Sequence, residues 1–331
     1  MNPILFKHSF FSWLIFSGLL MVIPFQIKAQ QAIQFSQYVF NGLVLNPAYS
    51  GYRENTNAHL IYRTQWTGLE GAPKTTSFSI DGVSKNLKHG IGFQVVDDQL
   101  GAQSNLLAEL TYAYRIELGE SARLSFGLAG GISQFRLDGS LLSTFDPSEN
   151  LMSQSRSIIN PDLKFGLFFA TDQYFLGLSV TDLLTNSLVN NPSFYVIKPT
   201  KHYYLTFGAL YDLDDHLAIK PSLLVKDDFK GPMNVDFNLF FLFAEKIWVG
   251  GSYRTGFNVF NPNKSIETNL SNSDALSLMA EYYINPTLRL GYAYDYTTSP
   301  LKSISGGTHE LSLGLQLDHW YHHRLQNPRL F

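Results

Sequence analysis

From Arg123 to Ser133 the chain alternates without a slip. Leu124, Phe126, Leu128, Gly130 and Ile132 take one parity, and Arg123, Ser125, Gly127, Ala129, Gly131 and Ser133 take the other. A period of two puts every second side chain on the same face of a β-strand, so one face is greasy and the other small or polar. Glu109–Gly119 repeats the pattern with Leu110, Tyr112, Tyr114, Ile116 and Leu118 on one face, and Glu310–Leu317 does so with Leu311, Leu313, Leu315 and Leu317. Strands in soluble sheets average about 5–6 residues. A tilted strand crossing a membrane needs about 9–11, which is the length these runs reach.

Segments of the same kind lie near 57–63, 75–81, 89–97, 104–118, 122–135, 162–171, 174–181, 202–213, 217–226, 233–243, 246–254, 274–284, 287–296 and 308–317. That makes fourteen, an even number, as single-chain bacterial outer-membrane barrels have. Their connections alternate in length. Gly119-Glu120-Ser121, Asp172-Gln173, Asp214-Asp215-His216, Glu245 and Asn285-Pro286 are short; 136–161, 182–201, 227–232, 255–273 and 297–307 are longer. Short periplasmic turns facing longer outside loops are the habit of such barrels. The pattern predicts an all-β transmembrane antiparallel barrel of about fourteen strands, integral to the outer membrane, with both termini in the periplasm.

Composition agrees, because 15% aromatic against only 15% charged residues suits sheets better than helical enzymes. After residue 29 no apolar run reaches the length of a spanning helix. Residues 1–29 read as a cleaved signal peptide, with Lys7 at its start, an apolar stretch from Phe10 to Phe25, and the small Ala29 at its end. Lys7 and Lys28 leave with it and no acid does, so the formal charge falls from −3 to −5. That balance argues against nucleic acid as a partner. The chain has no cysteine, which excludes disulfides and a lipid-anchored thiol.

The domain reading is therefore 1–29 signal peptide, 30–56 periplasmic lead-in or plug segment, 57–318 barrel and 319–331 periplasmic tail. Residues 30–56 alternate poorly and carry an aromatic-polar stretch containing Phe35 and Tyr38. Glycines such as Gly127, Gly177 and Gly291 fall on the polar parity, where lumen crowding accounts for them. Arg63, Lys74, Arg115 and Arg123 are candidates for lumen charge that serves a channel or holds a plug.

Catalysis finds little to stand on. His59, His89, His202, His216 and His309 are scattered singly, and a triad is defined by geometry. His319, His322 and His323 have only Asp318 as a nearby acid, too thin a set for a metal centre. Asp97/Asp98, Asp214/Asp215 and Asp227/Asp228 fall at strand ends, where turn chemistry explains them. No cofactor, metal or catalytic residue is expected.

Two blocks carry a family resemblance: QFSQYVFNGLVLNPAYSG at 34–51 and YRTQWTGLEGAPKTTSFSID at 62–81. Weaker support comes from Asp98-Gln99-Leu100-Gly101, Tyr112-Ala113-Tyr114-Arg115, Leu124-Ser125-Phe126-Gly127, Asn160-Pro161-Asp162 and Asn327-Pro328-Arg329. Together they resemble the PorP/SprF family of type IX secretion outer-membrane proteins, with Gly42 standing where that pattern has proline. The resemblance implies a non-enzymatic barrel of the type IX secretion or gliding machinery that helps export or anchor a secreted, adhesin-like protein at the cell surface. Its partners would be that cargo, other type IX components and outer-membrane lipid. Trp66, Glu70 and Pro73 in the first outside connection, with Phe35 and Tyr38, are the candidate partner-binding residues, since binding groups favour loops held by rigid scaffolds. A passive pore for small solutes is the alternative, and a membrane hydrolase a distant third.

Overall fold

The computed structural model describes residues 33–119, 121–141, 155–184, 200–229, 231–257 and 273–317. The signal segment, the 319–331 tail with its histidines, and most of link 255–273 lie outside the described residues.

Among the described residues fifteen strand segments form one antiparallel sheet: β1 (Thr56–Thr64), β2 (Lys74–Val83), β3 (His89–Leu100), β4 (Gln103–Leu118), β5 (Ala122–Leu137), β6 (Arg156–Ala170), β7 (Tyr174–Thr181), β8 (His202–Ala209), β9 (Tyr211–Asp214), β10 (Leu217–Asp227), β11 (Met233–Phe243), β12 (Ile247–Phe257), β13 (Ser273–Tyr283), β14 (Leu288–Thr297) and β15 (Thr308–Leu317). Thr56 pairs with Leu317 and Thr64 with His309, so β1 meets β15 and the sheet closes. β8 and β9 both lie on β10 as two pieces of one spanning strand, which makes a closed barrel of fourteen. Ile219 pairs with Tyr211 and Ser222 with Gly208. Pro221 thus falls opposite the interruption, where its missing N–H leaves a gap in the ladder.

Two links are shorter than the sequence pattern suggests. β3 runs through Asp98-Gln99-Leu100 and turns at Gly101-Ala102, where Gly101 takes a φ of +56° that permits a tight reversal. β5 and β6 pair from Leu137↔Arg156 onward, so Asn160-Pro161-Asp162 lies inside a strand. Pro161 is tolerated there because β7 pairs with β6 only from Phe165 to Ala170.

The burial pattern is inverted relative to a soluble protein. Leu110, Ile91 and Leu278 point outward and are 63–65% exposed, while Arg63, Glu109, Glu281, Arg289 and Glu310 are buried within. An apolar outer face and a polar interior are what a membrane barrel requires. Among the described residues no helix is long and apolar enough to cross a membrane. Outward tyrosines collect near both ends: Tyr62, Tyr203 and Tyr296 at one, and Tyr114, Tyr174, Tyr211 and Tyr282 at the other, with the Tyr211 hydroxyl donating to that of Tyr174 at 2.9 Å. Rings with a polar tip suit the two headgroup levels. Tyr204, by contrast, points inward and is buried.

The barrel has two unlike ends. Thr56, Leu317 and the turns after β2, β4, β6, β9, β11 and β13 share the turn end; the connections after β1, β3, β5, β7, β10, β12 and β14 share the loop end. Inside the wall runs the segment from Ile33 to Asn55, folded into short 3₁₀ turns at Gln37–Phe40, Gly42–Val44 and Pro47–Tyr49. Asn46 caps the last of these, its side-chain oxygen accepting from the Ala48 N–H at 2.9 Å, and Pro47 suits the position that follows.

Candidate functional site

The lead segment is held near its beginning by a clasp on the β1–β15 seam. Arg63 and Glu310 are register partners across that seam. Arg63 Nη1 lies 2.8 Å from Glu310 Oε2 and Nη2 lies 3.0 Å from Asp295 on β14. Ser36 sits between them. Its hydroxyl donates to Asp295 at 2.7 Å and accepts from Arg63 at 3.0 Å, while the Ser36 and Gln37 amides donate to the Glu310 carboxylate at 2.9 and 2.8 Å. Charge-assisted bonds of this kind are about twice as strong as neutral ones, and here all members are buried. Nearby, Asn238 donates to the Tyr38 hydroxyl at 2.8 Å, and Arg254 holds Asp236 through two bonds of 2.8 and 2.9 Å.

Further along, the lead presses its backbone onto wall glycines. A Cβ on Gly127 would lie 2.1 Å from the Ala48 nitrogen, and one on Gly90 2.1 Å from the Ser50 oxygen. Asn46 spans two strands, donating to the carbonyls of Leu167 at 2.8 Å and Leu178 at 3.2 Å. At the turn end the Gly51 amide donates to Asp81 at 2.7 Å, Arg115 donates to the Gly51 carbonyl, and Arg123 pairs with Glu54. Arg63, Arg115 and Arg123, all singled out as lumen charges, therefore grip the lead. Lys74 is exposed at the loop end instead.

Phe35 and Tyr38 belong to this inner packing. Phe35 is buried against Ile61 and Val96, and Tyr38 against Tyr204 and Leu224. Trp66, Glu70 and Pro73 lie apart from them on the loop end, in the connection 65–73. Glu70 is exposed there, and Trp66 and Pro73 are half-buried. The connection is tied down on both flanks: the Gln65 amide donates to the Pro73 carbonyl at 2.9 Å, the Thr67 amide to the Gly307 carbonyl at 2.8 Å, the Gly306 amide to the Thr67 carbonyl at 2.7 Å, and the Gly101 amide to the Gly71 carbonyl at 2.9 Å. Trp66, Gly68 and Gly71 adopt positive φ, so the block WTGLEG forms an ordered ledge.

The histidines occupy unrelated places. His59 is buried in the lumen beside Asn41; His89 and His309 bond the hydroxyls of Tyr112 and Tyr292, each at 2.8 Å; the His216 amide is capped by Asp214. Asp227 and Asp228 likewise accept turn amides from Phe229 and Gly231. Among the described residues no group of three or more histidine, aspartate or glutamate side chains has metal-binding geometry.

Sequence reading missed Ser36, Asn46, Asp295 and Glu310 as members of one site. The available signal was parity: Arg63, Asp295 and Glu310 all lie on polar rows of long strands, where a charge needs a partner.

The family model for the type IX secretion system membrane protein PorP/SprF matches residues 27–315. This chain belongs to the PorP/SprF family. The match spans both the lead and the strands, so the family unit includes the segment within the lumen. No curated protein matches the chain. Among solved structures this PorP/SprF barrel is similar to the CymD monoaromatic hydrocarbon channel, with a TM-score of 0.53, 13% identity, and coverage of 87% of this chain and 94% of that one. The toluene transporter TbuX of Ralstonia pickettii gives a TM-score of 0.50 and 10% identity, over 84% of this chain and 93% of that one. At such identities the likeness concerns the fold alone, an outer-membrane barrel. Family and neighbours are membrane barrels and channels, and membership implies work alongside type IX secretion components in the outer membrane.

Proposed function

We propose that this barrel is a non-enzymatic part of the type IX secretion or gliding machinery that helps export or anchor one secreted, adhesin-like protein at the cell surface. The turn end, with the end of β15, faces the periplasm and its machinery, and the loop end faces outside. The cargo docks on the ledge at 65–73, where Trp66 and Pro73 give apolar contact and Glu70 an exposed charge. Phe35 and Tyr38 act on it from within, by fixing the lead beneath.

The observation that carries this reading is the clasped lead. A lumen crossed by a buried, hydrogen-bonded segment suits a scaffold better than a pore for small solutes. A small side pocket remains between lead and wall, lined by Tyr49, Phe168, Phe175 and Lys220 among others. The test is gentle extraction from outer membranes through a tag in link 255–273, followed by mass spectrometry of copurifying proteins. One secreted protein in near-equal amount supports the reading; the barrel alone, with secreted substrates expressed and large steady conductance in planar bilayers, overturns it in favour of the pore.

A further inference from the structure

The lead does not enter the barrel from the side on which β1 begins. Ser36 is fastened to Arg63, Asp295 and Glu310. Those residues lie one, two and two positions from the loop-end limits of β1, β14 and β15. Phe35 and Ile33 pack beside Ile61, Val96 and Leu107, again toward the loop end. From there the chain descends in order. Tyr38 meets Asn238, midway along β11; Phe40 stacks edge-on to Phe240, lower on the same strand; Gly51 meets Asp81 and Glu54 meets Arg123, next to the turns after β2 and before β5. Asn55 then passes straight into β1 at Thr56, on the turn end. The polypeptide runs the length of the lumen before its first strand starts.

We propose that the lead is threaded through the barrel from mouth to mouth, so that Ile33 and Gln34 open on the loop face of the membrane, opposite the turn face where β1 begins and β15 ends. On the orientation given above, from which this inference takes only the identity of the outer face, the amino-terminal side of the lead is displayed at the cell surface beside the 65–73 ledge. An arriving cargo meets both together. On this proposal Ile33, where the described lead begins, lies on the face opposite Leu317, where β15 ends, against the expectation of one shared periplasmic side. The clasp gains a purpose as well: it stops the thread from sliding back toward the turn end, where Arg115 and Arg123 hold it a second time.

The chain contains no cysteine, so single-cysteine variants report without background. Ile33→Cys, Gln34→Cys, Glu70→Cys on the ledge and Asn86→Cys on the turn end would each be made in the full chain. Folding is checked by migration of unheated against boiled protein. A membrane-impermeant maleimide is then applied to intact cells and to permeabilised cells. Labelling of positions 33 and 34 should follow that of Glu70→Cys, and labelling of Asn86→Cys should require permeabilisation. If positions 33 and 34 follow Asn86→Cys instead, or react from neither side in denaturant-free membranes while Glu70→Cys reacts, the threading is overturned. If Glu70→Cys itself labels only after permeabilisation, the orientation is wrong while the pairing of 33 and 34 with position 70 still judges the thread. Should Ile33→Cys fail to fold, Gln34→Cys alone decides.

Discussion

Gly166 and Asn46 stand so close that a Cβ built on the glycine would lie 2.0 Å from the Asn46 side-chain oxygen. The wall is thinned at that point to admit the lead. The same asparagine ties β6 to β7 through two carbonyls, so seat and tenant depend on one another.

Gly166→Leu should therefore expel the lead without opening the barrel. Overpacking of this kind costs about 1–3 kcal/mol, and the loose segment can leave where a strand cannot. The variant should keep its heat-modifiable migration while residues 37–49 become sensitive to protease and conductance in planar bilayers rises several-fold. Unchanged protection and conductance would show that the seat tolerates bulk.

Arg63→Met removes the cation from a buried pair of carboxylates. Breaking such a network from one side costs about 3–5 kcal/mol, because the charges left behind have lost their partner. The urea midpoint of the refolded barrel should fall accordingly. Adding Glu310→Gln should restore part of it, while Glu310→Gln alone should weaken the hold on the Ser36 and Gln37 amides. Additive losses in the double variant would contradict a shared clasp.

Trp66 has a φ of +49°, a conformation that costs an L-residue roughly 1–2 kcal/mol. Trp66→Gly should leave barrel stability unchanged or raise it by about 1 kcal/mol, the glycine being at ease there. Recovery of the secreted partner should nonetheless drop at least several-fold, since the indole is gone. Full recovery would reduce Trp66 to a turn residue, and Glu70→Lys, on an exposed side chain, would then carry the test of the ledge.

Asp138, just past β5, accepts from the hydroxyl and amide of Ser140 and from the Ser155 hydroxyl, which together hold its carboxyl below the ordinary range. A depressed folded-state value means that this ordering is complete above the normal carboxylate pKa of about 4 and fades as pH falls through the lower value. Hydrogen exchange at residues 138–141, corrected for intrinsic rate, should accelerate between pH 6 and pH 2. Asp138→Asn should flatten that dependence.

The strands were legible because most of the barrel wall follows one alternation, outward apolar and inward small or polar, which Leu124 to Ser133 and Leu311 to Leu317 display without interruption; inward Ile61 and Phe240 depart from it where they pack on the lead. The links after β3 and β5 were less so. Asp98, Asn160 and Pro161 read as loop chemistry, whereas paired backbone kept them extended, on both neighbouring strands for Asp98 and on one for Asn160 and Pro161. The clasp was the least visible. Its members are separated by 274 positions between Ser36 and Glu310, and only barrel closure brings them together. Parity marked Arg63 as inward but could not say that a lead segment, and not a channel, would use it.

Closure has its own logic in this chain. β15 is the last strand described, and its Glu310 supplies the acceptor for the Ser36 and Gln37 amides as well as the partner for Arg63 across the final seam. A barrel that zipped up empty would bury that carboxylate without two of its donors. Sealing the cylinder therefore completes the seat of the filament, and the earliest part of the barrel unit finds its acceptor only on the latest strand described.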